Sequence, residues 1–461
     1  MASVEQAISE KLCAGCGACS FADPDAFRMG LTREGWMMSH KIPGATEAPE
    51  TRNVCPFSGE AANETEIAAS LWPDLPVNSQ IGRHADSIAC HVTDDAARLA
   101  SGSGGFTTWL AVELLRRGDV DAVAHVLPVD STEGALFRFA ISHDEAGLRA
   151  GAKSRYYAVT MAEVLRQIAE SGKRFAIVAV PCFARAVRLL IREGKLDAEG
   201  VPHVIGLVCG HMKSRHFAEY LAWQKEVAPG TLTGFDFRAK LMDRRASDYG
   251  FRLVTATRDE VHPMASVRGR DWGEGSFKVL ACEYCDDVMA ECADVAVGDA
   301  WLPGYVDDPR GCNVVVIRHP RIARIINEGQ EAGTLAVTPL SVADVVQSQA
   351  SGLRHRREGL AHRLARRAAA GKWSPAKRVE PALALTRQRR RIYDLRLEIT
   401  LRSAEAFPRA REAGDILLYE NEMASLIRRL QKATRGNSLQ QRIRNLGRRL
   451  RNLRRRPTGA G

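Results

Sequence analysis

Short apolar runs alternate with helical stretches through the middle of this chain. Asp121–Pro128, Arg174–Val180 (RFAIVAV) and Val201–Val208 read as buried strands, and Asp294–Gly298 and Asn313–Arg318 (NVVVIR) as further ones. Between the second and third lies Ala184–Glu193, whose Val187, Leu189, Leu190 and Ile191 suit a helix; Trp109–Leu115 and Met161–Ile168 read likewise. Strands alternating with helices favour an α/β sheet with both faces covered. Residues 81–345 are therefore expected to form a mixed α/β core. Residues 1–80 read as a separate small module, closed by the Pro-rich joint Trp72-Pro73-Asp74-Leu75-Pro76. After about residue 350 Arg and Leu dominate. Asp415–Ala433 carries Leu417, Leu418, Met423, Leu426, Ile427 and Leu430 at helical spacing. The end carries Leu439, Ile443, Leu446, Leu450 and Leu453 among arginines, the pattern of a basic amphipathic helix. Residues 346–461 are thus expected as an α-helical basic tail. No internal repeat of useful length is present.

Composition sharpens this division. With 461 residues, two or three domains are expected. The net charge of +10 hides an asymmetry, because residues 351–461 carry 29 Lys and Arg against 9 Asp and Glu. The remainder holds 36 basic and 46 acidic groups, so a mildly acidic body bears a basic end. No stretch approaches the roughly 20 apolar residues of a membrane span, and Met1–Leu12 does not resemble a secretion signal. A reducing cytoplasm is the expected home. The basic stripe fits an anionic membrane surface, peripherally at the inner membrane, or a partner protein, ahead of the plain alternative of a solvated helix packed on its own core. Nucleic acid is disfavoured, since the last 40 residues hold no aromatic side chain for stacking.

The cysteines carry the sharpest chemical signal. There are 11, and four stand near the start as Cys13-x-x-Cys16-x-x-Cys19 followed by Cys55-Pro56. Thiolates spaced by two residues wrap one face of an iron–sulfur cube, and a distant Cys-Pro closes the fourth corner, a ferredoxin habit. Ala14, Gly15, Gly17 and Ala18 leave room for the backbone to approach. A zinc knuckle is the competing reading, since Cys-x-x-Cys also suits tetrahedral zinc. A second set comprises Cys182 (in VPC), Cys209 (in GLVCG), Cys282 and Cys285 (CxxC), with Cys292 a spare. Any one of these alone would be an inert buried thiol; together they read as a second [4Fe–4S] site. An odd total without a signal peptide argues against a disulfide scaffold.

Three further segments suggest an organic cofactor. Ser101-Gly102-Ser103-Gly104-Gly105-Phe106-Thr107 feeds a helix start, where free N–H groups and the dipole favour a phosphate. It matches neither the Walker lysine pattern nor the dinucleotide glycine fingerprint, so a plain capped helix competes. Lys153-Ser154-Arg155-Tyr156-Tyr157 combines cations, hydroxyls and rings before a helix, suited to a phosphate and an isoalloxazine; a solvated basic loop is the alternative. Asp299, in Gly298-Asp299-Ala300-Trp301, follows a strand, where ligand contacts collect in open α/β sheets, and could meet a flavin or a cluster; a helix cap is the equal alternative.

In this order, the segments CxxCGxC, SGSGGFTTWLAVELL, KSRYY, VPCFARAVRLL, IGLVCGHM, CEYCDDVMAECADVAVGDAW and GCNVVVIR resemble the family of coenzyme F420 hydrogenase/dehydrogenase beta subunits, over roughly residues 10–320. The resemblance implies a noncovalent FAD and one or two [4Fe–4S] clusters in an α/β core, behind a ferredoxin-like iron–sulfur module. By position, Cys13, Cys16, Cys19 and Cys55 would hold one cluster and Cys182, Cys209, Cys282 and Cys285 the other, while Gly102–Thr107 and Lys153–Tyr156 would face FAD. The expected protein is an iron–sulfur flavoprotein oxidoreductase. Ferredoxin, a deazaflavin such as coenzyme F420, or a nicotinamide would be its redox partner, with a small organic molecule as acceptor. The basic tail lies outside the shared pattern; it resembles tails on proteobacterial relatives associated with polysaccharide modification. Two rival readings are an electron-transfer subunit without a substrate of its own and a zinc-stabilised, non-enzymatic binding protein.

Overall fold

A computed structural model describes residues 3–129 and 134–453, with only the backbone described for 436–453. Its centre is an eight-stranded mixed sheet. In spatial order the strands are Leu335–Pro339, Asp86–Val92, Asn313–Ile317, Val295–Asp299, His203–Leu207, Phe175–Ala179, Ala122–Pro128 and Phe137–Ser142. The four from Val295 to Ala122 in this order are mutually parallel. The flanking pairs are antiparallel. The five strand expectations all fall in this sheet, with ends differing by a residue or two. The central strands are apolar on both faces because helices cover both. Phe106–Arg116 and Pro320–Glu331 cover one face, and Ala162–Ser171 and Pro181–Arg192 the other. Pro181 takes the first helical position of its helix, where its missing N–H costs nothing. The helix therefore starts three residues before the apolar spacing alone would place it, and brings Cys182 into its first turn.

Residues 3–83 supply short helices, the hairpin Phe27–Leu31/Met37–Lys41, and the helix Glu64–Leu71, which is closed by an Asn63–Glu66 capping box. Gly15 and Gly17 adopt φ of +79° and +90°, and a Cβ there would stand 2.5 Å from the Met37 carbonyl oxygen and 2.7 Å from the Ala162 amide. Glycine is required at both places for steric reasons. A three-stranded antiparallel sheet, Gly234–Ala239, Gly250–Val254 and Asp259–Pro263, lies apart from the main one.

The C-terminal region is helical, as its pattern suggests, but as far as Leu430 it is part of the core. Arg387–Ala413 and Ile416–Leu453 form an antiparallel pair turning at Gly414, whose φ is +67°. Ile392, Leu395, Ile399, Phe407, Tyr419, Met423, Leu426 and Leu430 join the main apolar cluster. Net charge counts the arginines on the outer faces and so masks this stripe. Asp415–Ala433 and the terminal stripe fall in one continuous helix. The side chains of Leu439, Ile443, Leu446, Leu450 and Leu453 lie outside the described residues. Among the described residues no helix is long and apolar enough to cross a membrane.

Candidate functional site

The carboxyl ends of the parallel strands converge on a cavity of about 260 Å³, the place where open α/β sheets bind ligands. Its walls include Gly102, Ser103, Gly105 and Thr107 from one loop, Lys153, Ser154, Arg155 and Tyr156 from another, and Asp299 from the sheet. Of the nine cofactor-facing residues read from sequence, only Gly104 is absent from this lining. It sits behind the loop, where a Cβ would stand 2.7 Å from Asn313 Oδ1 and 2.8 Å from the Cys90 carbonyl oxygen. Asn313 is the hub here: its Oδ1 accepts from the Phe106 amide at 3.1 Å and its Nδ2 donates to the Gly298 carbonyl at 3.1 Å. The glycine loop, the helix it opens and the strand bearing Asp299 are thereby tied together.

Several buried polar atoms around this cavity have no protein partner. They are Arg155 Nε and Nη1, His211 Nε2 and Asp299 Oδ1. Burial pulls the Arg155 guanidinium down to about 10, with Asp236 opposing; at neutral pH it remains charged. The other oxygen of Asp299, Oδ2, accepts from Arg238 Nη1 at 2.7 Å. Lys153 pairs with Asp236 at 3.1 Å, and the ring of Tyr156 stands edge-on to Trp272, centroids 4.3 Å apart. Unsatisfied buried donors are costly, so this is a cavity built for a polar or anionic ligand. His125 also lines it; its Nε2 meets Ser142 Oγ at 2.8 Å, and burial pushes its pKa down to about 4. No pattern around His125 or Asn313 distinguishes them in the sequence, since each is one polar residue within an apolar strand.

The cysteines form two neighbouring groups. In the first, Cys16 and Cys19 are buried and Cys13 and Cys55 half-buried. Desolvation raises all four thiol pKa values, and mutual repulsion raises those of Cys16, Cys19 and Cys55 further. Cys13 Sγ accepts hydrogen bonds from the Gly15 and Ser39 amides, each at 3.4 Å. In the second group burial raises Cys182, and Cys285, Cys282, Cys209 and then Cys16 of the first group add to it. Cys282 Sγ accepts from the Met212 amide at 3.3 Å. Cys209 belongs both to this group and to the cavity wall. Cys292 packs elsewhere, against Ile67 and Leu189, and Cys312 donates to the Cys90 carbonyl at 3.3 Å. Among the described residues no three His, Cys, Asp or Glu side chains are grouped so as to hold a single metal ion. Tetrahedral zinc at ~2.3 Å from each thiolate would bring the sulfurs to ~3.8 Å from one another, whereas a cube spreads its cysteines over four irons.

The region beyond residue 346 supplies residues that the sequence pattern does not mark. Arg356, in the π-helical turn His355–Gly359, is 1% exposed. Its Nη2 donates to the carbonyls of Cys209 and Gly210 at 3.2 and 2.8 Å. Its Nε and Nη1 are buried without partners. Burial disfavours its charge, but Cys285, Cys209, Cys282 and Cys182 outweigh that and hold it firmly protonated. Arg363 Nε donates to the Glu283 carbonyl, between Cys282 and Cys285, at 2.7 Å. Lys377 Nζ reaches the Pro56 carbonyl at 3.3 Å, beside Cys55, and Arg378 grips Glu291 at 2.7 Å. This segment therefore covers both cysteine groups. Its repeated arginines are its only sequence signal, and by charge alone they suggest a partner outside the chain, whereas Arg356 and Arg363 turn inward.

Fold and site together describe an α/β protein with a ligand cavity beside two groups of cysteines. The chain belongs to the family of coenzyme F420 hydrogenase/dehydrogenase beta subunits: residues 87–166 match its N-terminal part and residues 172–343 its C-terminal part. One subunit of the F(420)H(2) dehydrogenase of Methanosarcina mazei is 27% identical over 220 residues, 47% of this chain and 56% of that relative. The chain so spans little over half the length of that relative. A chain of the F420-reducing [NiFe] hydrogenase complex of Methanosarcina barkeri superposes with a TM-score of 0.47 at 16% identity, over 61% of this chain and 93% of that one. The two family-matched regions, 87–166 and 172–343, hold the cavity and the second cysteine group, but neither the first group nor Arg356.

Proposed function

We propose that this chain is an iron–sulfur flavoprotein reductase that passes electrons between two [4Fe–4S] clusters and a noncovalent FAD, to or from an organic acceptor of the deazaflavin class. One observation carries the reading: Cys209 belongs both to a group of four thiols and to the wall of a cavity holding unpartnered cationic donors. Cys13, Cys16, Cys19 and Cys55 would hold one cluster, in a ferredoxin-like N-terminal module, and Cys182, Cys209, Cys282 and Cys285 the other. When bound, the clusters carry single electrons and the flavin one or two, which lets a one-electron carrier serve a two-electron acceptor. The chain's own residues bind and orient. Arg155 and the amides opening the Phe106–Arg116 helix suit a phosphate, and Lys153 and Ser154 lie beside them. His211 and Asp299 present a ring nitrogen and a carboxylate oxygen for hydrogen bonding at the other wall. The relative and the structural neighbour are named as a subunit and a complex, which favours a protein redox partner, with ferredoxin or a nicotinamide as alternative electron sources.

Anaerobic preparation is expected to give about eight irons and one flavin per chain. Stoichiometric zinc with no flavin absorption would overturn the reading in favour of a zinc-stabilised binding protein. A second test uses the crowding behind the glycine loop. Gly104→Ala forces a Cβ against backbone and Asn313, at a cost of about 1–3 kcal/mol for overpacking. The loop should shift and flavin affinity fall at least tenfold by fluorescence titration, with iron content unchanged. Equal affinity would mean that the loop does not hold the flavin.

A further inference from the structure

The helix Leu360–Ala369 separates two different surfaces. On one side Leu360 and Leu364 pack with Cys282 and Cys285, and Arg363 holds the backbone between those cysteines. On the other, His362, Ala365 and Arg366 form the floor of a groove of about 520 Å³, whose far wall is the first turns of Arg387–Ala413. This groove is strongly cationic. Five arginines line it against two carboxylates, and both carboxylates are already engaged: Asp394 with His362 at 2.9 Å and Glu398 with Arg429 at 3.8 Å. Arg366, Arg387, Arg390 and Arg391 are exposed, and none forms an ion pair among the described residues. Leu383, 49% exposed, adds an apolar contact at the rim.

Like charges gathered without partners repel one another, and their free energy falls when an acidic surface is brought to them. The position is equally informative. One helix with its side chains is ~10 Å thick, and that single helix lies between the groove floor and Cys282 and Cys285. We infer that this groove is the docking site of an acidic protein electron carrier, placed so that electrons cross one helix to reach the second cysteine group. The inference rests on the proposed cluster at that group for its electron-transfer step, but not for the docking itself. Among the described residues nothing else on this face calls for so many free cations, whereas a carrier with a carboxylate-rich rim would be both steered and oriented by them.

The test uses full-length holoprotein, a plant-type [2Fe–2S] ferredoxin as the acidic probe, and the combined variant Arg366→Gln, Arg387→Glu, Arg390→Glu, Arg391→Glu. The glutamates fall in the first turns of their helix, where the dipole favours them, and the glutamine spares the C-terminal end of the other. Binding of oxidised ferredoxin by calorimetry needs no cluster in this chain. Anaerobic stopped-flow with reduced ferredoxin then reads electron entry, with dithionite reduction as the control for intact clusters. The wild type should bind and be reduced at a rate falling at least tenfold between low and high salt. The variant should be at least tenfold weaker and slower at low salt, with little salt dependence left. Equal affinity and salt slope in the two proteins would overturn the docking site. So would a variant that loses only binding to phosphatidylserine vesicles, which would make the groove a lipid-facing surface. Should the variant be unstable, the Arg390→Gln, Arg391→Gln double variant must still show a smaller loss in the same direction. Wild type that binds ferredoxin through the groove but contains no iron would keep the docking site and sink the proposed cluster.

Discussion

Arg356→Met is expected to empty the second cysteine group of iron while leaving the first group loaded. The guanidinium is enclosed, and two of its nitrogens have no partner in the protein. A cube held by four thiolates carries net negative charge, and Arg356 is the cation that Cys285, Cys209, Cys282 and Cys182 all feel. Leaving a buried charge without its partner costs about 3–5 kcal/mol, or a factor of roughly 10² to 10⁴ in affinity. Iron per chain should therefore fall by about half on anaerobic reconstitution, with one of two electron-paramagnetic signals lost. Arg356→Lys keeps the charge but not the planar fork that spans the Cys209 and Gly210 carbonyls. It should retain the cluster at a lowered midpoint potential. A methionine variant with full iron and both signals would show that the arginine only fills space.

Much of this architecture was legible because it rests on local regularities. The RFAIVAV and NVVVIR runs read as buried strands by their β-branched composition, and both lie inside the sheet. The glycine loop was legible as a source of free N–H groups at a helix start, and the KSRYY segment as a mix of cations, hydroxyls and rings. Their convergence was not, because it depends on contacts distant in the chain: Gly102 packs against Ser154, and the Phe106 amide donates to Asn313 Oδ1. The C-terminal region was legible as helical, but its packing partner was not. Charge counting reads every arginine as solvated, yet Arg318, Arg356 and Arg363 are each 1% exposed. Arg318 alone donates to the carbonyls of Arg83, Ala290, Ala293, Ile81 and Met289, a tertiary role that spacing cannot disclose. Apolar periodicity did record the buried Met423, Leu426 and Leu430, but it also counted Leu417 and Leu418, which are exposed, and missed the buried Tyr419. It could not say whether that stripe met lipid, a partner or the chain's own core.

That last question has a direct answer in stability. Phe407 is fully buried among Phe277, Tyr419, Trp223 and Tyr220, with ring centroids 5.1, 5.5, 6.0 and 6.0 Å away. Phe407→Ala removes one ring from an interlocked set and leaves a cavity, at a cost of about 3–5 kcal/mol, out of a total of about 5–15 kcal/mol for a typical protein. Leu401→Ala, at a site 42% exposed on the same helix, should cost no more than about 0.5 kcal/mol. Urea unfolding followed by tryptophan fluorescence separates the two, and equal midpoints would return this region to the status of an appended tail. The damage should also reach the cysteines. The Phe277 amide donates to Ser403 Oγ at 2.9 Å, one helical turn before Phe407, and Phe277 opens the segment that ends in Cys282 and Cys285. Loosening the ring set frees that segment, so the variant should lose iron from the second group to a chelator faster than wild type, and from the first group at the same rate.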